Sequence, residues 1–427
     1  MVELAVIADD FTGALDTGIK FAKAGMKTQV MLHSDFHFSE VNSACEVLVI
    51  DTETRHLKPE SAYQIVYTLV KRCRAGHISR FYKKTDSALR GCIGKELTAL
   101  CDALGESVEF IPALPEENRI TENGIQYVNQ VPVAQSIFGK DPFEPVRHSR
   151  IADIIHEESE IEVVSIKRME QAEDLDTHCI RVYDASTEQD ILDRGIALRK
   201  KGCLRVMAGC SGFAAYLPEI LGVSREREKQ LCKTRSLFIL CGSVNKITEK
   251  QLICAQKQGF QRICLNIRQK LQPDYFESEE GKEFLRFFKK SCRRKRPVIL
   301  DVISENAIEE ALYFAGKSKI HLEEVRSRIA KRLGELVNYW LTFDLKDTLV
   351  ITGGDTVYAF LSGNNCSEIE PVCEVIPGVV LFHVKIGERK LQVISKSGGF
   401  GNEQVFLEVA KEILIHKEAH DIEEKLS

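Results

Sequence analysis

Short apolar runs alternate with segments of helical periodicity along most of the chain. Residues 2–8 form an apolar run of strand length, and residues 13–25 follow with apolar positions at helical spacing. Residues 47–51 and 80–84 predict further strands, each followed by a predicted helix, at 59–74 and 91–104. The strand series continues at 109–112, 162–166, 179–183 and 205–208. This βαβα rhythm predicts a mostly parallel sheet covered by helices on both faces. The stretch 112–145 breaks the rhythm. It is rich in Pro, Asn, Gly and Gln and too long for a simple connector, so a functional loop or an inserted hairpin is expected there.

The charged, apolar-poor stretch 224–230 marks a boundary, after which the rhythm restarts. Strands are predicted at 236–241 and 262–265 around a helix at 246–258. Two more, at 297–302 and 348–351, flank a long helix at 321–341. Residues 373–385 and 391–395 predict two strands joined by the turn around Gly387-Glu388, which adds an antiparallel element. A last helix is predicted at 403–417. The expectation is an α/β protein of two domains, residues 1–225 and 235–427. Each would hold a mostly parallel sheet with helices on both faces, and a ligand site is expected at the cleft between them.

Composition narrows the function classes. With 58 Lys+Arg against 63 Asp+Glu among 427 residues, the formal net charge is −5, which gives no general attraction to phosphate backbones or anionic lipid. Apolar runs are strand-sized, far short of the ~20 residues a membrane-spanning helix needs, so neither nucleic acid nor membrane is an expected partner. No basic segment precedes the first apolar run, and the 14 cysteines include no Cys-x-x-Cys pair. The expectation is a cytoplasmic protein with reduced thiols and no protein-held metal. His33, His37, His416 and His420 read as surface histidines, and Arg293-Arg294-Lys295-Arg296 as a solvated loop.

Candidate chemistry gathers where predicted strands end. Asp9-Asp10-Phe11-Thr12-Gly13 follows the first strand, Asp51-Thr52-Glu53-Thr54-Arg55 the second, and Lys83-Lys84-Thr85-Asp86-Ser87-Ala88-Leu89-Arg90-Gly91 the third. Ligands of open α/β sheets bind beyond the carboxyl ends of strands. An N-cap role for Asp10 or Thr12 explains one such residue. It does not explain adjacent carboxylates, whose repulsion demands a neutralising cation or donor. An edge with Arg55, Lys84 and Arg90 beside Asp9, Asp10, Asp86 and Ser87 suits a small anionic, hydroxyl-rich ligand. In the second half, Gly242-Ser243, Thr352-Gly353-Gly354-Asp355-Thr356 and Ser397-Gly398-Gly399-Phe400-Gly401 are glycine turns next to strands or helix starts. Such turns let backbone N–H groups approach a phosphate. The P-loop, dinucleotide-fold and protein-kinase signatures are missing from the sequence.

Together these motifs resemble the four-carbon acid sugar kinase family. The resemblance runs over nearly the whole chain and keeps the family's order. Ile7 to Gly18 resembles its opening Asp-Asp-Phe-Thr-Gly-Ala motif, and 51–55 and 83–91 the next two. Pro112-Ala113-Leu114-Pro115 with Arg119, Thr121, Asn123 and Gly124 resembles its mid-domain loop. Gly242-Ser243-Val244, Gly353-Gly354-Asp355-Thr356 and Lys396-Ser397-Gly398-Gly399-Phe400-Gly401 resemble its C-terminal motifs. Ala88 stands where the family often has threonine, and Cys92 where it often has asparagine.

The resemblance implies a sugar-acid-binding first domain and a nucleotide-binding second one. It implies ATP-dependent phosphorylation of the terminal hydroxyl of D-threonate, D-erythronate or a 3-oxo-tetronate, with Mg²⁺. Asp9, Asp10, Arg55, Lys84, Asp86, Ser87 and Arg90 would bind the acid, Arg55 and the Lys84/Arg90 edge orienting its carboxylate. Ser243, Gly353, Gly354, Asp355, Thr356 and Gly399 would hold ATP. Asp10 and Asp355 are the candidates for the base. A homodimer is the default assembly. A non-catalytic sugar-acid and nucleotide sensor, and an ATP-dependent ligase, are the competing classes.

Overall fold

The computed structural model describes residues 2–141, 145–168, 170, 178–223, 225, 231–294, 296–303, 310, 313, 314, 316, 317, 322–366, 369–396 and 398–415. Ser397, Lys295, His416, His420, most of the charged stretch 224–230 and the outer ends of the predicted helices at 321 and 416–417 lie outside the described residues. The chain divides into two compact units, Met1–Glu228 and Lys229–Ser427.

In the first unit β1 (Leu4–Ala8), β2 (Thr28–Met31), β3 (Val47–Asp51), β4 (Arg80–Lys84) and β5 (Val108–Ile111) come first in the chain. The short strands β6 (Arg119–Glu122), β7 (Ile125–Val128) and β8 (Val131–Pro132) follow, and then β9 (Glu162–Ile166), β10 (Cys179–Tyr183) and β11 (Val206–Gly209). The main sheet has the order β2-β3-β1-β4-β11-β5-β10-β9 and is parallel throughout. β1 reads Leu-Ala-Val-Ile-Ala and is buried at every position, as a strand covered on both faces must be. Two helix groups cover it. Pro59–Ala75 packs on Ile93–Leu104, while Phe11–Lys23 and Glu188–Lys201 pack on Ser211–Leu221. Register decides where the chemistry falls. Ala8 pairs with both Asp51 and Lys84, so β1, β3 and β4 end level and their following loops share one edge.

The irregular stretch after β5 is an inserted antiparallel sheet, β6-β7-β8. Its first turn, Asn123-Gly124, has both residues at positive φ (52° and 70°), the conformation that tight hairpins require.

In the second unit β12 (Leu237–Cys241), β13 (Gln261–Cys264), β14 (Val298–Asp301), β15 (Thr348–Thr352), β16 (Ile369–Ile376), β17 (Val379–Ile386) and β18 (Arg389–Lys396) form the order β13-β14-β12-β15-β18-β17-β16. The sheet is parallel as far as β18 and antiparallel beyond it. Its core includes Trp340, on helix Leu322–Leu341, stacked on Phe238 at 5.2 Å. Cys241 pairs with Thr352, and Thr352 with Lys396, so β12, β15 and β18 also end level.

The α/β class with an antiparallel addition is as expected. Two predicted elements differ: the last helix, expected to 417, ends at Ile413 with Leu414 extended, and 373–385 is not a single strand. The turn Pro377-Gly378 breaks it into β16 and β17. Apolar residues on both sides hide a turn that the Pro-Gly pair announces. β2 escaped notice because Thr-Gln-Val-Met carries two polar residues, although all four are buried. The helices Ile267–Leu271 and Glu279–Cys292 fill the stretch between 265 and 297, for which the sequence pattern predicts no element. Among the described residues no helix is long and apolar enough to cross a membrane, and no disulfide joins any of the cysteines.

Gly378 has φ +70°, and a Cβ there would meet the Phe400 ring at 2.1 Å. Gly378→Ala should therefore lower the stability of this unit by roughly 1–3 kcal/mol, measured by denaturant unfolding. Gly387→Ala, at φ +57° with open space around it, should lose only the backbone share. Equal losses would contradict the ring contact.

Candidate functional site

At the edge of the first unit, the loops after β1, β3 and β4 interlock through charge. Asp10 ends the approach to helix Phe11–Lys23 as its N-cap, Oδ1 accepting from Gly13 N at 3.0 Å. Arg55 donates from Nε to Asp9 Oδ2 at 2.7 Å, from Nη1 to Asp10 Oδ2 at 2.9 Å and from Nη2 to Asp10 Oδ1 at 2.7 Å. Arg90 grips Asp86 with two further bonds, Nε to Oδ2 at 3.0 Å and Nη2 to Oδ1 at 2.8 Å. Arg55 Nη2 stands 4.0 Å from Asp86 Oδ1 and joins the two groups. Lys84 Nζ donates to Thr85 O at 2.9 Å. It lies so close to the helix start that a Cβ on Gly13 would meet it at 2.7 Å. Glu53, at φ 46°, turns its Oε1 to accept from Phe11 N at 3.1 Å.

A buried layer supports this edge. Lys83 and Glu96 form an ion pair at 3.1 Å with both side chains sealed from solvent. Thr54 donates to Glu96 and meets Thr52, whose hydroxyl donates to Ala8 O. Helix Ile93–Leu104 thus ties the ends of β3 and β4 together, with β1 joined through Thr52.

Neighbouring charge splits the carboxylates by proton affinity. Burial pushes Asp9 up, but Arg55, Lys83 and Lys84 outweigh it and hold the carboxyl below its ordinary range. Burial also pushes Asp10 up, and there Asp9 and Asp86 add repulsion, so Arg55 and Lys84 do not bring it back down. Burial raises Asp86 too, yet the Arg90 hydrogen bonds with Arg55, Arg90 and Lys84 hold it well below the usual range. Burial and neighbouring acids also raise Asp51, Glu53 and Glu96, so the edge carries ionised Asp9 and Asp86 beside acids that bind a proton more readily, of which Asp10 is the one bonded to Arg55.

The inserted sheet reaches this edge as well. Gln126 donates from Nε2 to Ser87 O at 3.1 Å. Arg119 donates from Nη1 to Ser87 Oγ, and its guanidinium lies 5.3 Å from the Phe138 ring centre, with Arg90 at 5.2 Å from the same ring.

In the second unit three turns converge past β12, β15 and β18. A Cβ on Gly242 would fall 1.9 Å from Thr356 Oγ1, and one on Gly398 would fall 2.2 Å from Ser243 Oγ. Gly353 has φ +108°, and a Cβ there would touch Ser243 N at 3.4 Å. Only glycines let these loops close on one another. The last turn is also oriented. Gln251 donates from Nε2 to the carbonyls of Phe400, Gly401 and Asn402 at 3.0, 3.0 and 2.9 Å. Thr248 and Lys396 donate to Gly398 O. Because each peptide is planar and trans, the N–H groups of Gly399, Gly401 and Asn402 point away from those held carbonyls. Burial pushes the Lys396 amine down to about 8.

Residues 4–217 match the family model described as a sugar-binding N-terminal domain, and residues 238–406 the one described as a nucleotide-binding C-terminal domain. The chain belongs to the four-carbon acid sugar kinase family. It is 29% identical to a D-threonate kinase of Salmonella typhimurium, over 94% of this chain and 96% of the relative. It is 27% identical to a D-erythronate kinase of Heliobacterium modesticaldum, over 94% and 95%. It is 26% identical to a 3-oxo-tetronate kinase of Pectobacterium atrosepticum, over 96% and 99%. Its fold is similar to that of a solved Salmonella typhimurium protein (TM-score 0.77, 22% identity, 97% and 100% coverage) and of a solved Haemophilus influenzae protein (TM-score 0.75, 18% identity, 96% and 100% coverage).

Within this family frame, the residues expected at the sugar-acid site share one edge: Asp9, Asp10, Arg55, Lys84, Asp86, Ser87 and Arg90. Their roles look different once placed. Arg55 was expected to face the ligand's carboxylate, but Asp9 and Asp10 engage its guanidinium, and Asp86 engages Arg90. Ser243, Gly353, Gly354 and Thr356 meet around the glycine turns, with Gly399 on the last of them. Asp355 is exposed in the first turn of helix Gly354–Gly363. Glu96 went unnoticed because an acid on an amphipathic helix reads as solvated. Arg119 carried no assigned role, since nothing in its spacing shows that β6 folds back on Ser87.

The depressed Asp86 fixes a pH dependence. Its ion pairs stabilise the fold fully above pH about 4 and lose effect as pH falls further, because the unfolded chain takes up the proton first. Asp86→Asn should lower stability at pH 7 by about 3–5 kcal/mol, since the arginines remain behind. The gap from wild type should narrow below pH about 4 in thermal unfolding series. A gap independent of pH would contradict the ion-pair account.

Proposed function

We propose that this chain is an ATP-dependent kinase that phosphorylates the terminal hydroxyl of a four-carbon sugar acid, D-threonate or D-erythronate, to the 4-phosphate. One observation carries the reading: three carboxylates interlocked with Arg55 and Arg90, with Lys84 close by, at the strand ends of a sugar-binding domain. Such an edge offers acceptors for hydroxyls on one small surface, with cations beside them that offset the charge of a bound acid. The relatives named above support the substrate class.

Asp10 is the base in this proposal. A carboxylate has about four acceptor positions, and Asp10 uses three of them, for Gly13 N and two Arg55 nitrogens. Its side chain keeps 23% of its surface exposed, which leaves room for one substrate hydroxyl. Its raised proton affinity favours taking the proton as the oxygen attacks phosphorus. Lys84 and Arg55 then offset the charge that gathers there. Asp9, sealed and ionised, keeps Arg55 in place.

In the second unit the amides of Gly242 and Gly353 are taken by Thr352 O and Lys396 O, and the close contacts at Gly242, Gly353 and Gly398 bring together the turns of Ser243, Gly354, Thr356 and Gly399, whose backbone N–H groups would meet the nucleotide's phosphates. This donor set suits a polyphosphate. Mg²⁺ is held in such sites by one or two carboxylates plus the phosphates, and Asp355 is the acid at that position. The ion would supply charge neutralisation during transfer.

Phosphorus NMR of reactions with ATP and D-threonate, D-erythronate or a 3-oxo-tetronate should show a phosphomonoester and ADP with one of the three. AMP would point to a ligase, and no turnover to a sensor; either contradicts the proposal. A 3-oxo-tetronate as sole acceptor would move the substrate assignment.

Asp10→Asn should lower turnover ~10²–10⁴-fold while nucleotide affinity stays within about twofold of wild type by calorimetry. Because Asp10 must be deprotonated to act, wild-type turnover should decline as pH is lowered. The raised Asp10 places that decline above the ordinary carboxylate range near pH 4. Near-wild-type turnover of the variant would remove Asp10 from this role.

A further inference from the structure

The charge inventory of the first unit's edge leaves a question that the proposed function does not answer: which cation meets the carboxylate of a sugar acid. This section rests on the sugar-acid reading above. A ligand carboxylate approaching Arg55 must compete with Asp9 and Asp10, already bonded at 2.7–2.9 Å. One approaching Arg90 must displace the bidentate Asp86 at 2.8 and 3.0 Å, and Lys84 is buried with its Nζ turned to Thr85 O at 2.9 Å. Both aspartates of those pairs with low proton affinity are almost sealed, Asp9 at 1% and Asp86 at 8% side-chain exposure, so they have no solvent to retreat to.

Arg119 differs in each respect. Its charge partner is Glu117, two residues away on a surface turn, at 3.0 Å and 44% exposed. Its Nε is buried with no hydrogen-bond partner among the described residues. The guanidinium lies near the Phe138 ring and bonds Ser87 Oγ, which places it beside the Asp86–Arg90 loop. Its position is built rather than incidental. Thr121 Oγ1 donates to Gln126 Oε1 at 2.8 Å, and Gln126 holds Ser87 O. The amides of Asn123 and Gly124 donate to Asp184 at 2.7 and 2.9 Å, and Thr121 exchanges backbone bonds with Ala185 at 2.9 and 3.0 Å. The inserted sheet is therefore pinned at its turn, along its edge and at Ser87, and it delivers one arginine in a preorganised place.

We propose that Arg119 binds the carboxylate of the sugar acid, with Glu117 occupying it in the empty site and moving into solvent when the ligand arrives. The Asp9–Arg55–Asp10 and Asp86–Arg90 groups then serve the hydroxyls, and the inserted sheet is the element that tells a sugar acid from a neutral polyol. An arginine whose partner is exposed gives up that partner at little cost, because rim ion pairs are weak. A carboxylate that replaces it gains planar, two-point recognition.

Calorimetric titration of the full chain tests this with two probes, the tetronate that serves as acceptor and its carboxamide, which keeps the hydroxyls and loses the charge. Wild type should bind the acid about 10- to 100-fold more tightly than the amide. Arg119→Gln should bring the acid down to the amide's affinity and leave the amide unchanged, while Arg119→Lys restores part of the preference. Glu117→Gln should tighten the acid about two- to fivefold and not the amide. Unchanged amide affinity shows that the first unit is folded in each variant, and ADP affinity equal to wild type shows the same for the second. Equal weakening of acid and amide in Arg119→Gln would show a structural role and overturn the proposal, as would weaker acid binding in Glu117→Gln. If wild type binds and phosphorylates no tetronate, the sugar-acid reading itself fails and takes this proposal with it. If wild type is active but Arg119→Gln retains its acid preference, this proposal alone fails.

Discussion

Everything at the first unit's edge depends on one guanidinium. Arg55 sits between two adjacent carboxylates at the end of a strand, and without it Asp9 and Asp10 could not both stay ionised in so buried a place. Parallel pairing makes the meeting unavoidable. Ala8, Asp51 and Lys84 are in register, so the loops that carry the acids and the cations must leave the sheet side by side. The cation that solves this repulsion is then engaged, and the next charge, Asp86, needs Arg90 for the same reason. The result is a nearly neutral network in which Asp10, partly exposed, keeps a free acceptor position. Charge pairing built this way stabilises little beyond what desolvation takes. What it supplies is a fixed arrangement of acceptors.

The second unit reaches a binding surface by the opposite route. Few charges take part there. Glycines at the ends of β12, β15 and β18 remove the Cβ atoms that would hold the loops apart, and side chains of helix Lys246–Lys257 tie down the carbonyls of the last turn. Peptide dipoles do the work that arginines do in the first unit. That division suits the two ligand classes: a small acid with several hydroxyls needs individually placed acceptors and donors, whereas a polyphosphate needs a concentration of N–H groups.

Much of this was legible in the chain because it follows from short-range rules. Buried parallel strands are apolar runs, glycine pairs at strand ends are turns, and acids after a strand end up at one edge. These rules located β1, β3, β4, β12 and β15 and the clusters that follow them. What escaped needs knowledge of partners distant in sequence. Arg55 looks like a free cation until Asp9 and Asp10, some 45 residues earlier, take it. Glu96 looks solvated until Lys83 and Thr54 close on it. Arg119 gains meaning only when β6 is seen to lie against Ser87. The break at Pro377-Gly378 is the exception, a local signal outweighed by the apolar residues around it.

The central claim is that the partly exposed Asp10 carboxylate receives a hydroxyl of a sugar acid while Arg55 holds it in place. A crystal structure of the protein with the acceptor tetronate bound tests this most directly. The account predicts the terminal hydroxyl within about 2.6–3.2 Å of an Asp10 carboxylate oxygen, with the Asp9–Arg55–Asp10 bonds intact. A tetronate seated away from Asp10, or one that draws Arg55 off both aspartates, would contradict it.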